Sequence, residues 1–485
     1  MRTSIAIAIL TLLSFFLGFI RDASIAAFFG GSWASDILFL ALVIPVFLEN
    51  VLGIALRDSL IPYLQYCRAK GYDNFSDEVA RFGKIILLTG IVLLVPLVLF
   101  PSVWLGLLAP GWEKEIQSQA ETAFIVGTLF IPVLMWSYYQ TGTLNVKGYL
   151  VFPVWRSVFF NIGAIIAIVF WPDNTKNIII GMLVGQAIHL LWMQWLMSAP
   201  DIMDRPKLKV SDSAGFMTSF MPLLIATSAL QINVIAERFF ASWLDEGSVS
   251  FLSYAYRLTT VPLVLFSFSI LTVFYPRLVS KYIENDHTEF NRITLNLFKL
   301  CLYLMIPATL FFIYFSVPII DLFFGRGEFD EDAIKQTSLI LSAYSLGLVF
   351  LVIGLLGGRI LLALGKTKIV MFSSLVTMII TVLLDAVFVS PLGAAGLALA
   401  MSIGSVFQAV VLWKVILTSI NEKPPYATFF RIAFSTMIVA LLFNYWDWFS
   451  VIGMLAGGIL ILLIFNVLLC LTGEKDLRSF ILLFR

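Results

Sequence analysis

The chain has 485 residues, of which 60% are hydrophobic and only 13% are charged, with a formal net charge of +1 and a mean hydropathy of +0.97. Soluble globular proteins carry about 25% charged residues, so these values exclude an ordinary soluble enzyme, a disordered protein and a nucleic-acid binder. Three cysteines at distant positions and two histidines provide neither a disulfide framework nor the spacing of a metal site. The composition is that of a membrane protein.

Fourteen apolar segments are long enough to cross a bilayer, which takes about 20 mostly apolar residues. The separators between them are short and polar, and none is long enough to form a soluble domain. In chain order the predicted spans are 4–29, 36–64, 84–109, 122–145, 153–171, 177–198, 213–243, 249–279, 293–324, 333–364, 368–389, 394–420, 427–447 and 450–472.

The distribution of Lys and Arg indicates the orientation, because these residues concentrate in cytoplasmic loops. With the N-terminus inside, the outer loops contain only Lys114, Lys176, Arg326 and Lys335, whereas the cytoplasmic loops and termini contain most of the others. The sequence therefore predicts a multi-pass membrane protein with both termini in the cytoplasm.

Spans one to six and seven to twelve are predicted to be two copies of one unit. Pro45 and Pro262 are 217 residues apart, and so are Gly148 and Gly365, which stand in the turns after spans four and ten. In many transporters such repeats place the substrate near the midplane between them. The expected parts are a first six-helix lobe, a second six-helix lobe, and two further helices with a short cytoplasmic tail, at 1–205, 206–422 and 423–485.

Ionisable side chains within the predicted spans indicate a water-filled cavity, because each costs about 2.5–3.5 kcal/mol at the centre of a membrane helix. These residues are Arg21, Asp22, Asp36, Glu49, Glu237, Arg238, Arg257, Arg359 and Asp385. A guanidinium can donate two hydrogen bonds to a phosphate, so Arg21 and Arg257 are predicted to face each other across a central cavity. Alternatively, neighbouring charges form structural pairs or extend to an interface, which is favoured for Glu237 and Arg238.

Thr381 and Asp385 stand one turn apart on the same face of a predicted helix. Their oxygens could coordinate Na⁺, or the carboxylate could take up a proton; the alternative is an Asp solvated near the outer end of its helix. GKT at 365–367 is not a phosphate-binding loop, because Ile360 stands where that loop requires glycine. The sequence therefore predicts a transporter rather than an enzyme, with no cofactor. Either a gradient of Na⁺ or H⁺ or the membrane potential is expected to reset the transport cycle.

Five segments carry a resemblance that extends over most of the chain. They are GFIRDASIAAFFGGSWASDILFLALVIP (18–45), GTLNVKGYLVFPVWRSVFFNIGAI (142–165), LSYAYRLTTVPLVLFSFSILTVFYPRLVS (252–280), LLALGKTKIV (361–370) and ITVLLDAVFVSPLGAAGLALAMS (380–402). These segments resemble the MurJ/MviN lipid II flippases of the MOP exporter superfamily, whose members have fourteen spans.

The resemblance implies an all-α fold of two pseudo-symmetric lobes in a V shape, with two further helices that form a lipid-facing groove. It also implies that the chain flips an undecaprenyl-pyrophosphate-linked saccharide, lipid II or a related one, from the cytoplasmic to the outer leaflet by alternating access. Charged positions of the family match Arg21, Asp36 and Arg257, and the predicted cavity also includes Asp22 and Glu49. The polar pair that lies near a sodium site in some members matches Thr381 and Asp385.

The chain departs from the family pattern at Phe15, Glu49, Tyr256 and Met401, which makes the predicted cavity less cationic. One alternative is therefore a Wzx-like flippase for an exopolysaccharide or O-antigen unit. Others are a cation-coupled drug or small-molecule antiporter and a membrane scaffold that transports nothing. The expected partners are the lipid-linked saccharide, membrane lipids and proteins of cell-wall or polysaccharide synthesis, with no nucleic acid, and the expected state is a monomer.

Overall fold

A computed structural model of the chain describes residues 2–69, 75–172, 174–199, 216–266, 272–422, 426–443 and 451–471. Throughout these residues the chain is helical and contains no strand, which confirms the predicted all-α class. The backbone divides into two compact units, Met1–Ser250 with Gly327–Phe329, and Phe251–Arg326 with Asp330–Arg485.

The first unit is built from helices that cover predicted spans one to seven. They are α1 (Arg2–Phe29), α2 (Trp33–Ala41), α3 (Val43–Leu48), a π-helix (Glu49–Gly53), α4 (Ile54–Ala69), α5 (Phe75–Leu99), α6 (Pro101–Leu108), α7 (Lys114–Thr128), α8 (Phe130–Lys147), a 3₁₀-helix (Phe152–Trp155), α9 (Arg156–Phe170), α10 (Thr175–Met197) and α11 (Phe216–Ala241).

The second unit begins within the next helix and covers the remaining predicted spans. Its helices are α12 (Ser248–Phe266, which starts in the first unit), α13 (Thr272–Ile283), α14 (His287–Tyr314), α15 (Ser316–Phe324), α16 (Glu331–Ala363), α17 (Thr367–Ser419), α18 (Tyr426–Phe443) and α19 (Val451–Leu471).

Large apolar side chains are exposed on the outer faces of both units. Leu88 and Val92 on α5, and Phe372 and Leu383 on α17, are examples. A soluble monomer rarely exposes so much apolar surface, whereas lipid is the solvent that accepts it. In the described part of the chain, ten helices are long and apolar enough to cross a membrane. The predicted number of fourteen spans stays a prediction.

Helix α17 folds back on itself. Its 53 residues would extend about 80 Å at 1.5 Å per residue, far beyond a hydrocarbon core of about 30 Å. The backbone leaves helical geometry at Gly393, which has φ 57° and ψ −142°. Beyond this break, Gln408 Nε2 donates to Ser374 Oγ at 3.1 Å. The two halves are therefore antiparallel, and they coincide with predicted spans eleven and twelve.

The turns after α8 and α16 share one backbone geometry. Gly148 and Gly365 both have positive φ, 99° and 71°. The residue after each glycine donates its backbone N–H to the carbonyl five residues earlier, at 2.8 Å in both turns. This is the Schellman pattern that commonly ends a helix. The two glycines occupy equivalent positions of the predicted repeat, and the internal duplication itself stays a prediction.

The predicted lobe boundaries stay predictions. The first, between residues 205 and 206, lies outside the described residues. The second, after residue 422, lies at the edge of a described range.

Candidate substrate site

Arg21 and Asp22 form an ion pair on α1 that is braced by α9. Nε and Nη2 of Arg21 donate to Asp22 Oδ1 at 2.8 and 2.6 Å, and Nη1 donates to Asn161 Oδ1 at 3.0 Å. The guanidinium also lies over the ring of Phe160, 5.5 Å from its centroid. Asn161 is itself held, because its Nδ2 donates to the carbonyl of Ser14 at 3.0 Å. The Arg21 side chain is nevertheless 16% exposed, so a ligand can reach it.

Asp36 is a buried carboxylate that anchors the turn between α11 and α12. Its Oδ2 accepts the backbone N–H of Gly247 at 2.9 Å, and its Oδ1 accepts that of Ser250 at 2.8 Å. The Ser250 hydroxyl also donates to Oδ1. This geometry gives Asp36 a role in holding α2 against that turn. Its predicted contact with substrate stays a prediction.

Two further hydrogen bonds hold the same corner of the first unit. The backbone N–H of Trp33 donates to Glu246 Oε1 at 2.7 Å, and that of Glu328 donates to the Ala27 carbonyl at 2.9 Å. The segment Gly327–Phe329 thereby joins the first unit although it is distant in sequence.

Glu237 and Arg238 form the structural pair that the sequence favours. Their side chains are 3.1 Å apart and both residues are buried. Nη1 of Arg238 donates to the Val249 carbonyl at 3.1 Å.

Glu49 is the first residue of the π-helix that interrupts predicted span two. It forms an ion pair with Arg156, and the hydroxyl of Tyr138 lies 3.3 Å from its Oε1. The Arg156 guanidinium lies over the Tyr138 ring, 4.7 Å from the centroid. A Cβ on Gly53 would stand 2.2 Å from Tyr138 Cε2, so the π-helix admits this tyrosine only because it ends in glycine.

In the second unit, Arg257 is half-buried on α12, and Thr381 and Asp385 are buried on the first half of α17. Thr381 Oγ1 lies where a Cβ on Gly404 would stand, 2.2 Å away. Among the described residues, no group of three or more His, Cys, Asp or Glu side chains could hold a metal ion. The predicted Na⁺ or H⁺ role of this pair stays a prediction, as does the pairing of Arg257 with Arg21.

The model of the family Lipid II flippase MurJ matches residues 25–469 of the chain. The chain belongs to the MurJ family. A family of flippases is one of transporters and not of enzymes, and membership together with the apolar helices makes this chain a multi-pass protein of the bacterial inner membrane.

Two MurJ relatives are similar over most of their length. A probable lipid II flippase MurJ of Vibrio cholerae is 28% identical over 433 residues, which cover 85% of this chain and 82% of the relative. A lipid II flippase MurJ of Thermosipho africanus is 28% identical over 472 residues, covering 96% and 95%.

Solved structures support the same family and the wider superfamily fold. A lipid II flippase MurJ in an inward closed conformation is 27% identical, with a TM-score of 0.81 and coverage of 95% of this chain and 98% of that one. An inward-facing multidrug resistance MATE transporter of the MOP superfamily has a TM-score of 0.70 at 15% identity, covering 86% and 98%. The second likeness shows the fold alone.

The sequence analysis of this MurJ family member missed Arg156, Tyr138 and Asn161. Arg156 stands inside predicted span 153–171, so the rule that marks charges within spans applies to it. An arginine near the end of a span commonly extends to the interface, so its position in the sequence does not by itself indicate a buried ion pair. Tyr138 and Asn161 carry no such signal, since uncharged polar residues are common in membrane helices.

Proposed function

We propose that this chain flips lipid II from the cytoplasmic to the outer leaflet by alternating access, with Arg21 and Arg257 binding the pyrophosphate. Membership of the MurJ family and relatives named lipid II flippases support the cargo. The observation that supports the site is Arg21, a guanidinium held within the helices of the first unit and still exposed to a ligand.

The environment of Arg21 suits an anion that must bind and leave again. Asp22 partly neutralises the guanidinium in the empty protein, which lowers the cost of a charge inside the membrane. Asn161 and Phe160 fix its direction. A pyrophosphate would replace part of the contact with Asp22, so the net gain on binding stays moderate and release remains fast.

The remaining parts of the cycle follow from the other predicted features. Asp385, with Thr381, would couple transport to Na⁺ or H⁺, or the membrane potential would reset the protein. The polyprenyl tail would stay in lipid beside α18 and α19. The chain would act as a monomer without a cofactor.

A leaflet-specific accessibility assay of lipid II tests the site, using Arg21→Gln and Arg257→Gln in reconstituted vesicles. A hydrogen bond to a charged group contributes about 1.5–3 kcal/mol, so each variant should flip roughly tenfold to a hundredfold more slowly. Arg292→Gln is the matched control, because the Arg292 side chain is 64% exposed and pairs only with a surface carboxylate in the described contacts. Flipping at the wild-type rate in both test variants would refute the assigned site.

A second arm of the same assay tests the cargo. Vesicles carry undecaprenyl pyrophosphate linked to a saccharide of another kind in place of lipid II. Faster flipping of lipid II supports the proposal, whereas faster flipping of the other lipid would assign the chain to polysaccharide export.

A further inference from the structure

In the cluster of Glu49, Tyr138 and Arg156, one of the two terminal nitrogens of the guanidinium makes no hydrogen bond. Nη2 of Arg156 alone contacts both partners: it pairs with Glu49 and donates to the Tyr138 hydroxyl at 3.0 Å. Nη1 is buried and makes no hydrogen bond with any of the described residues. An arginine that served only a carboxylate would normally use both nitrogens in a parallel fork. The empty donor therefore points to a ligand that the cluster lacks.

Leaving such a donor buried is costly. A buried N–H donor that loses water without gaining an acceptor destabilises the fold, and a charge inside a membrane helix is a functional feature by default. The π-helix at Glu49–Gly53 is a second sign, because π-helices frequently occur at functional sites. Here it places Glu49 opposite Arg156 and packs Gly53 against the Tyr138 ring.

Glu49 covers Arg156 rather than being buried beneath it. The side chain of Glu49 is 29% exposed and that of Arg156 is 15% exposed. An approaching anion would meet the guanidinium as it displaces the carboxylate. On anion binding, Glu49 is thus the side chain that would move away from Arg156. The Tyr138 hydroxyl contacts both residues and can keep its contact with either.

Helix α9 links this cluster to Arg21. Arg156 is its first residue, and Asn161, which accepts from Arg21, lies five residues later. Five residues raise the helix by about 7.5 Å. Helix α9 therefore contributes residues about one and a half turns apart to both arginine clusters. In the predicted orientation, the Arg156 cluster is nearer to the cytoplasm.

We propose that Arg156 is a second binding residue for a pyrophosphate group, which it takes up on the cytoplasmic side of Arg21, and that Glu49 occupies it in the empty protein. The identity of the anion rests on the proposed function; the binding itself does not. Glu49 then acts as an internal competitor that keeps the arginine paired until the substrate arrives.

Binding of geranyl pyrophosphate to the full-length protein in nanodiscs tests this proposal, measured by calorimetry. Glu49→Gln removes the competing charge while keeping the shape, and should tighten binding severalfold. Arg156→Gln should weaken it about tenfold, the change expected from losing a charged hydrogen bond. In the double variant the gain from Glu49→Gln should disappear, because the two residues act as one unit.

If the Glu49–Arg156 ion pair is purely structural, Glu49→Gln should not tighten binding of the probe. Breaking the pair would leave an uncompensated charge and lower stability, without tighter binding of the probe. An unchanged or weaker affinity in Glu49→Gln, in protein whose unfolding temperature shows that it is folded, would overturn the proposal. If Arg156→Gln does not fold, Arg156→Lys replaces it, since lysine keeps the charge but lacks the fork; full affinity in that variant also contradicts the proposal.

Two comparisons separate this inference from the proposed function. Repeating the series with inorganic pyrophosphate distinguishes a lipid headgroup from a free anion, and the tighter of the two probes identifies the source. Repeating it in an Arg21→Gln background tests independence: the gain from Glu49→Gln should remain there. It should also remain if the chain carries a cargo other than lipid II, because the probe contains no saccharide.

Discussion

Three acidic residues of the first unit experience three different environments. Asp22 pairs with its own neighbour in sequence, Arg21, whereas Glu49 pairs with Arg156, 107 residues away. Asp36 accepts backbone N–H groups and a hydroxyl from the turn after α11. Similar positions inside predicted spans therefore have different partners: an adjacent arginine, a distant arginine, and the backbone that follows α11.

Asp36→Asn should destabilise the protein by about 1–3 kcal/mol, the usual cost of an unsatisfied buried polar group. One oxygen becomes an NH₂ group that would face a backbone N–H donor from Gly247 or Ser250. Thermal unfolding in detergent measures the effect. Asp245→Asn, an exposed position in the same turn, is the matched control and should leave the unfolding temperature unchanged. Equal unfolding temperatures in both variants would contradict the anchoring role of Asp36.

The sequence was sufficient to identify which residues carry charge inside spans, but not which of them meet. The partners of Asp36 and Glu49 are 211 and 107 residues away. Apolar periodicity contains no information on the pairing of helices in lipid, because most faces are equally apolar. Asp22 was the exception, since its partner is adjacent.

At the scale of helices, glycine allows backbones to approach closely. A Cβ on Gly163 of α9 would stand 2.1 Å from the carbonyl oxygen of Gly181 on α10, and one on Gly185 would stand 2.2 Å from that of Phe159. Close contact through small residues is a main source of helix association in membranes. This contact holds α9, which contributes residues to both arginine clusters.

Gly181→Ala should therefore force α9 and α10 apart. Overpacking typically costs about 1–3 kcal/mol, and the backbone cannot yield as a flexible side chain would. The expected result is a lower unfolding temperature. Gly106→Ala in α6 is the control, because a Cβ there meets nothing within 4 Å and alanine favours the helix. A Gly181→Ala protein as stable as the control would refute the close contact.

Gly393→Ala probes the hairpin of α17 by a different mechanism. A Cβ at this position also has open space around it, but φ 57° and ψ −142° belong to backbone that favours glycine. Such strain costs of order 1–3 kcal/mol. Calorimetry should show a lower unfolding temperature for Gly393→Ala than for the unchanged protein. No loss for Gly106→Ala, which has the same open space and ordinary helical backbone, would isolate the effect of φ.

Helix interruptions were only partly predictable. Pro45 lacks an N–H, so the carbonyl of Ala41 has no donor four residues later, and α2 ends there. A Cβ on Gly127 would stand 2.4 Å from that oxygen, so α7 packs closely against it. The proline was visible in the sequence, whereas the π-helix at Glu49–Gly53 was not, because it depends on the fit of Tyr138 against Gly53.

At the scale of the whole molecule, single-cysteine labelling tests the predicted orientation. Cysteine at Lys114 or Lys335, both exposed, should react with a membrane-impermeant maleimide in intact cells. The reagent reaches only outer loops. Cysteine at Arg292 is the matched control and should react only after permeabilisation. The natural cysteines are first replaced by alanine. The reversed pattern would invert the topology, and labelling of all three in intact cells would disprove the predicted span count.

The overall class was the most predictable level. Hydropathy alone indicated the membrane, and ten helices of the described residues are long and apolar enough to cross it. The division into compact units was harder to predict from the sequence. Gly327–Phe329 belongs to the first unit, where the backbone N–H of Glu328 donates a hydrogen bond to the Ala27 carbonyl. A segment of three residues is too short to have a periodic signal.

The π-helix also has a consequence for the engineering of this chain. A π-turn is equivalent to one residue inserted into an α-helix, and each residue of an α-helix turns it by about 100°. Deleting one residue from Glu49–Gly53 would restore a continuous helix and rotate everything before it relative to α4. Asp36 and Arg156 could then not both keep their partners. One additional residue in the π-turn thus determines the direction in which the side chains of the preceding helical segment point.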